Sequence, residues 1–198
     1  MDIWVATSNT GKLKEFNSLL GPLGYTVHGQ KELSYFSSPE ESGETFIANA
    51  RIKANALKKV KPGTWVIADD SGLEVEGLNN LPGVHSARYA GPHARDAENT
   101  AKLLKMVGLR TANNRSAQFR CALVAYSPEG HEIVCEGLLK GEIARGMKGS
   151  DGFGYDNVFI PEGESKTLAE LGLLFKNKHS HRAVALKQLI LHLSELRI

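Results

Sequence analysis

Apolar positions along this chain change period repeatedly, and each change marks an element. Ile3-Trp-Val-Ala6 is a short apolar run and predicts a strand, followed by the polar loop Thr7-Ser-Asn-Thr-Gly11. From Lys12 onward, Leu13, Phe16, Leu19 and Leu20 recur at helical spacing until Gly21-Pro22 stops the helix. Tyr25 to Gly29 reads as a second strand, and Glu32 to Gly43 as a poorly patterned polar loop carrying Glu40-Glu41. Phe46, Ile47, Ala50, Ala54 and Leu57 mark a second helix ending near Val60, with Lys61-Pro-Gly63 as its stop. Trp65 to Ala68, apolar and partly β-branched, predicts a buried strand. It should turn into surface loop at Asp69-Asp-Ser-Gly72, with Leu73 to Val75 a further short strand.

Gly77 to Gly91 is rich in loop residues, with Leu81-Pro-Gly83 a turn and Ser86-Ala-Arg-Tyr89 after it. Ala97, Ala101, Leu104 and Met106 or Val107 predict a helix over Ala94 to Val107. The clearest hairpin pairs Phe119–Tyr126 with Ile133–Leu139 across Ser127-Pro-Glu-Gly130, and Gly141–Ala144 could extend it. Val158 to Ile160 resumes a strand, Ala169-Glu-Leu171 suggests a short helical turn, and Lys176 to His179 is strongly polar. Ser180 is a good N-cap for a last helix whose apolar stripe is Leu186, Leu189, Ile190, Leu193 and Leu196. Alternating helices and strands make the fold class α/β.

A chain of 198 residues has room for one domain, or two intimately packed lobes, around a sizeable core. Its net charge of +2 argues against a general nucleic-acid binder, which is usually far more basic. No apolar run approaches a membrane span, so no membrane partner is expected. Met-Asp-Ile-Trp has no basic leader, so no secretory signal is expected either. Cys121 and Cys135 lack metal-ligand spacing and read as a reduced pair in a cytoplasmic protein.

Four stretches carry candidate chemistry. The Lys12 helix start, with free backbone N–H groups and an ammonium, could cradle phosphate, although it lacks the Walker spacing and could equally be an ordinary capped helix. Asp69 and Asp70, adjacent on extended backbone, should point to opposite faces. They could hold Mg²⁺, with Glu40 or Glu41 as a second source of carboxylate, or form a solvated turn, and the two glutamates could equally serve only the dipole of the helix they precede. Lys53 reads as a solvated lysine on the polar side of its helix. In Gly149-Ser-Asp-Gly-Phe-Gly-Tyr-Asp156, glycines flank Phe153, whose ring could stack on a heterocycle; Phe153 and Tyr155 could instead pin the loop into the core. His181 and Arg182 occupy a first helical turn, where cations are disfavoured, which hints at a ligand, although two exposed side chains would tolerate the position at small cost. No nucleophilic triad, HExxH or CxxC is legible, so metal-assisted hydrolysis ranks above covalent catalysis.

Six of these segments in this order resemble the inosine/xanthosine triphosphate pyrophosphatase family nearly end to end: Thr7–Lys12, Glu40-Glu41 with Thr45–Ile47 and Asn49-Ala50, Ala68–Leu73, Leu81–Gly83 with Ser86–Tyr89, Gly152–Asp156 and Ser180–Arg182. The resemblance implies a long mixed β-sheet with flanking helices forming two lobes around a nucleotide cleft, as one pyrophosphatase domain and a homodimer. It implies Mg²⁺-dependent hydrolysis of a purine nucleoside triphosphate such as ITP, dITP or XTP to the monophosphate and pyrophosphate. By position, Thr7, Ser8, Asn9, Thr10, Gly11 and Lys12 would cradle the phosphates, and Glu41 and Asp70 would hold Mg²⁺. Asp70 would be the general base and Ser71 a substrate contact. Phe153, Gly154, Tyr155 and Asp156 would form the base pocket, Lys176 would touch the nucleotide, and His181 and Arg182 would read its 6-oxo edge. The chain departs from the family pattern at Phe175, where an acid is common, at His179, usually aliphatic, and at His85, usually tyrosine. Donors at the 6-oxo position favour such purines, because an adenine amino group leaves a buried cation unpaired. Three rivals stand beside this reading: a non-catalytic nucleotide sensor, a hydrolase of modified pyrimidine or standard triphosphates, and, more weakly, a nucleic-acid module.

Overall fold

The structure is a computed structural model that describes residues 1–111 and 113–195. Its elements in chain order are β1 (Asp2–Val5), α1 (Thr10–Leu20), β2 (Thr26–Gly29), α2 (Phe46–Val60), β3 (Trp65–Val75) and β4 (Leu81–Pro82). They continue with α3 (Asp96–Arg110), β5 (Ser116–Tyr126), β6 (Glu132–Ile143), β7 (Phe159–Pro161), α4 (Leu168–His179) and α5 (His181–Glu195). The expected α/β class is met, with a mixed sheet in the order β2-β1-β3-β5-β6-β7 and β4 beside β3. β1 runs parallel to both β2 and β3, whereas β3 with β4 and β6 with β7 are antiparallel. The chain divides into two compact units, the first comprising Met1–Asp70, Cys121–Gly137 and the segment from Arg182, the second Ser71–Arg120 and Leu138–His181.

In the first unit, the side-chain period of two along the strands sorts residues onto two helical layers. Ile3, Val5, Trp65, Ile67, Cys121, Leu123 and Ala125 pack with Phe16 and Leu20 of α1 and with Ala185, Leu186, Leu189 and Leu193 of α5. The alternate residues Val66, Ala68, Val124 and Tyr126 pack with Ala50, Ala54 and Leu57 of α2. Each Val, Leu, Ile or Phe side chain among them taken fully out of water stabilises the fold by roughly 1.5–3 kcal/mol. In the second unit, Leu73, Val75, Ala117 and Phe119 pack with Leu103 and Val107 of α3 and with Ile143, Phe159 and Leu168.

Four elements differ from the sequence expectations, the first being β4, a short strand paired with β3 where Leu81-Pro-Gly83 predicts a turn. β3 does not end at Ala68; it runs without interruption through Asp69, Asp70, Ser71 and Gly72 to Val75. The acids stay in the strand because cationic partners at both faces neutralise them. α1 starts at Thr10, not Lys12, since the Asn9 side chain caps it by accepting from the Lys12 N–H. α4 is longer than one turn, capped by Thr167 and interrupted at Gly172, whose φ of 75° only glycine adopts without cost. Cys121 and Cys135 are buried free thiols. Leu196, expected in the last apolar stripe, lies outside the described residues. No helix among the described residues is long and apolar enough to cross a membrane.

Candidate active site

Strand parity carries the alternation of β3 past the core and into the chemistry. Trp65 and Ile67 face α1 and α5, so Asp69 does as well; Val66 and Ala68 face α2, and so does Asp70. The expectation that the two carboxylates diverge is met. Asp69, 1% exposed, pairs with the Lys12 ammonium and accepts from Arg182 Nε at 2.9 Å and Cys121 Sγ at 3.0 Å. Arg182, also 1% exposed, donates its Nη1 to Glu15 of α1. Burial opposes ionisation of Asp69, but Arg182 and then Lys12 outweigh it and hold the carboxyl well below the usual range. Burial beside Asp69 drives the Cys121 thiol well upward, so it stays protonated and inert. The loop before α1 is locally ordered: Thr7 Oγ1 accepts from Asn9 N–H at 3.1 Å, and Asn9 Oδ1 from Lys12 N–H at 3.0 Å. Ser8, Asn9 and Thr10 remain exposed at the helix start.

On the other face of β3, Lys53 Nζ lies 3.0 Å from Asp70 Oδ1 and 2.8 Å from Glu41 Oε1. This corrects the reading of Lys53 as solvated: it is buried between two carboxylates. Desolvation works against its charge, yet Asp70 and Glu41 more than offset it, and its pKa is raised. Asp70 shifts the other way from Asp69: burial raises its pKa and Lys53 only partly restores it. A carboxylate so raised is a better proton acceptor near neutrality. Asp70 Oδ2 is buried and finds no hydrogen-bond partner among the described residues. That orphan oxygen, with Glu41 on the same ammonium, suits Mg²⁺, which binds through one or two carboxylates and completes its shell with water and substrate phosphates. Among the described residues no cluster of three His, Cys, Asp or Glu side chains is arranged to hold a metal unaided.

The second unit organises the glycine-rich loop. Asp156 Oδ2 accepts from the Phe153 N–H at 3.0 Å and from Lys176 Nζ at 2.7 Å, and that ammonium lies 4.4 Å from the Phe153 ring centroid. A Cβ on Gly152 would fall 2.2 Å from Asp156 Oδ2, so the loop closes only over glycine. Gly154 is held by α3, its N–H donating to Asp96 at 2.6 Å and its carbonyl accepting from Thr100 at 3.3 Å. The two open readings of this loop divide between its aromatics. Tyr155 is buried, donates to the Ser86 carbonyl at 2.7 Å and pins the loop, whereas Phe153 is half-buried beside a recess of about 240 Å³ that Asp96, Asp156 and Asn157 also line. His181 is buried and stacks on Phe119 at 4.7 Å. The Phe175 and His179 departures from the family pattern face each other one helical turn apart, with ring centroids at 4.7 Å. Ser71 is half-buried. A larger hollow of about 560 Å³ in the same unit, lined by Glu74, Gln118, Lys140 and Glu162 among others, contains none of the candidate residues.

Within the first unit, then, Lys12, Asp69 and Arg182 meet on one face of β3 and Glu41 and Asp70 on the other; within the second, Phe153, Asp156 and Lys176 meet. Sequence reasoning missed Glu15, Asn49 and the inward aim of Lys53. A signal existed: Phe46, Asn49, Ala50, Lys53, Ala54 and Leu57 are one stripe at helical spacing, and all six are buried.

Comparison with known proteins points one way. A sequence model of the Ham1 family matches residues 3–192. The dITP/XTP pyrophosphatase of Bdellovibrio bacteriovorus is 54% identical over 188 residues, covering 94% of either chain. That of Bacillus subtilis is 45% identical over 185 residues, 93% of either chain. Among solved structures, a Ham1 protein from Coxiella burnetii matches with a TM-score of 0.87 at 41% identity, covering 98% of this chain and 99% of that one. The Staphylococcus aureus Ham1 protein matches with a TM-score of 0.85 at 40% identity and the same coverage.

Proposed function

Because this chain belongs to the Ham1 family, we propose the function that its similar relatives are named for, and the chemistry of its own residues supports it. The protein is a nucleoside-triphosphate pyrophosphatase that hydrolyses non-canonical purine triphosphates (ITP, dITP, XTP) to the monophosphate and pyrophosphate. The observation that carries the chemistry is the division of labour at Asp69 and Asp70. One carboxylate is locked ionised between Lys12 and Arg182; its neighbour is raised, has an orphan oxygen, and shares Lys53 with Glu41.

Glu41 and Asp70 would hold Mg²⁺, which when bound neutralises phosphate charge and favours loss of pyrophosphate. Asp70 takes the proton of the attacking water as general base. Thr7, Ser8, Asn9, Thr10, Gly11 and Lys12 present hydroxyls, helix-start N–H groups and an ammonium to the phosphates. Ser71, next to Asp70, contacts the substrate. In the second unit, Phe153 stacks on the purine, Gly154, Tyr155 and Asp156 shape its pocket, and Lys176 is aimed by Asp156. His181 and Arg182 read the 6-oxo edge; the clamp of Asp69 and Glu15 on Arg182 keeps that cation from adapting to an amino group. A homodimer in the cytoplasm, without nucleic-acid or membrane partners, completes the reading, and sedimentation of the purified chain tests the dimer.

The deciding experiment is pyrophosphate release from a panel of triphosphates with Mg²⁺. Turnover of dITP, ITP and XTP well above ATP and GTP is expected. Binding without pyrophosphate release would make the protein a sensor, and equal use of standard nucleotides would remove the assigned specificity.

A further inference from the structure

Helix α2 grips the segment that carries Glu41 at two points one turn apart. Lys53 holds the Glu41 carboxylate at 2.8 Å. Four residues earlier on the same buried stripe, Asn49 Oδ1 accepts from the Gly43 backbone N–H at 2.8 Å. The second grip is tight: a Cβ on Gly43 would lie 2.7 Å from Asn49 Oδ1, 2.8 Å from the Ala48 Cβ and 3.0 Å from the Asn49 nitrogen. Thr45 closes the same turn, taking the Ala48 N–H on its hydroxyl at 3.1 Å and the Asn49 N–H on its carbonyl at 3.1 Å. The Glu41 backbone is therefore anchored two residues downstream by a side chain that is itself 0% exposed.

The amide has a second end. With Oδ1 committed to Gly43, Asn49 Nδ2 is buried and finds no partner among the described residues. Buried amide donors are rarely left unmade, and one retained beside the metal-holding segment points to an oxygen that arrives with the substrate. On the same face of β3, Asp70 Oδ2 is an orphan acceptor. An oxygen-rich assembly, a metal with its waters and a polyphosphate, would satisfy a donor and an acceptor together.

We infer that Asn49 is a positioning residue of this site: through Gly43 it fixes Glu41, and its free amide N–H serves an oxygen of the bound metal–triphosphate. The inference rests on the reading of Glu41 and Asp70 as metal holders, and the test separates the two. Mn²⁺ binding to the protein without nucleotide is followed by electron paramagnetic resonance, alongside dITP kinetics and thermal unfolding. In Asn49→Ala, Mn²⁺ affinity and kcat are expected to fall by about 10- to 100-fold, the usual effect of removing an outer-shell partner. Gly43→Ala, which displaces the same segment from the other side, should reproduce that loss. Asn49→Asp keeps the acceptor for Gly43 and is expected to retain nucleotide-free Mn²⁺ binding while raising the KM for dITP, because a carboxylate then replaces the donor. Wild-type Mn²⁺ affinity and kinetics in a folded Asn49→Ala overturn the inference while leaving Glu41 and Asp70 in place. An unchanged KM in Asn49→Asp overturns the role of the free N–H. Failure of the wild-type protein to bind Mn²⁺ would sink the metal-site reading itself.

Discussion

Asp69 and Asp70 are chemically identical neighbours whose surroundings push them in opposite directions. Desolvation raises Asp70 beyond what Lys53 restores, so NMR titration of the metal-free protein should find Asp70 above the ordinary aspartate range, with added Mg²⁺ drawing it down. Asp70→Asn should cut dITP turnover by about 10²- to 10⁴-fold, as expected for loss of a general base. Near-normal turnover in that variant would take Asp70 out of the mechanism. The linkage signs differ too. Folded Asp70 binds its proton more tightly than the unfolded chain does, so its contribution to stability declines as pH rises through that window; Asp69 contributes above its unfolded value and loses this as pH falls. Arg182 is the third decisive residue. Its removal takes the guanidinium from two buried acids, Glu15 and Asp69, and leaves Asp69 to Lys12, so Arg182→Ala should cost about 3–5 kcal/mol in urea unfolding. Arg182→Lys should not restore it, because one ammonium cannot reproduce the planar fork that serves both acids. In whatever fraction folds, the preference for ITP over ATP should shrink more than triphosphate binding does.

At the scale of elements, the strands and helices follow local patterning except where charge is neutralised from outside. β3 continues through two aspartates because α1, α2 and α5 each bring a cation to it. Elsewhere, close backbone approach sets the limits. A Cβ at Gly141 of β6 would lie 2.1 Å from the Ile160 carbonyl of β7, so Gly141→Ala should lose roughly 1–3 kcal/mol as the pairing shifts. Gly108, exposed inside α3 with nothing within 4 Å of where a Cβ would stand, is the control. There Gly108→Ala should gain about 0.5–1 kcal/mol by helix propensity alone. Thermal denaturation of the two variants should move in opposite directions; movement in the same direction would refute the packing argument at Gly141.

At the scale of the whole molecule, substrate is a folding ligand. A non-hydrolysable dITP analogue with Mg²⁺ at a hundredfold its Kd should stabilise the native chain by about 2.7 kcal/mol, seen as a rise in Tm. The same concentration of the ATP analogue should raise Tm much less, and equal shifts would mean that binding does not discriminate the base. Buried ionic clusters on both faces of β3 make this a costly site to build. Replacing such clusters by apolar residues often stabilises a protein, so their presence is better explained by chemistry than by folding.

What the residues determined by themselves was local. The periods of two and 3.6 located the strands and most helices, and the same alternation required Asp69 and Asp70 to part company. Tertiary structure decided who meets them. Lys12 reaches Asp69 across 57 positions and Glu15 reaches Arg182 across 167, distances over which no local pattern carries information. Lys53 and Asn49 show the boundary between the two. Their spacing from Phe46 to Leu57 matches the buried stripe, yet Lys53 reads onto the polar side, because a polar residue reads as solvated until a partner is known to lie opposite. Only the fold supplies Glu41, Gly43 and Asp70, because desolvation forbids a buried charge or amide unless distant chain segments bring its complement.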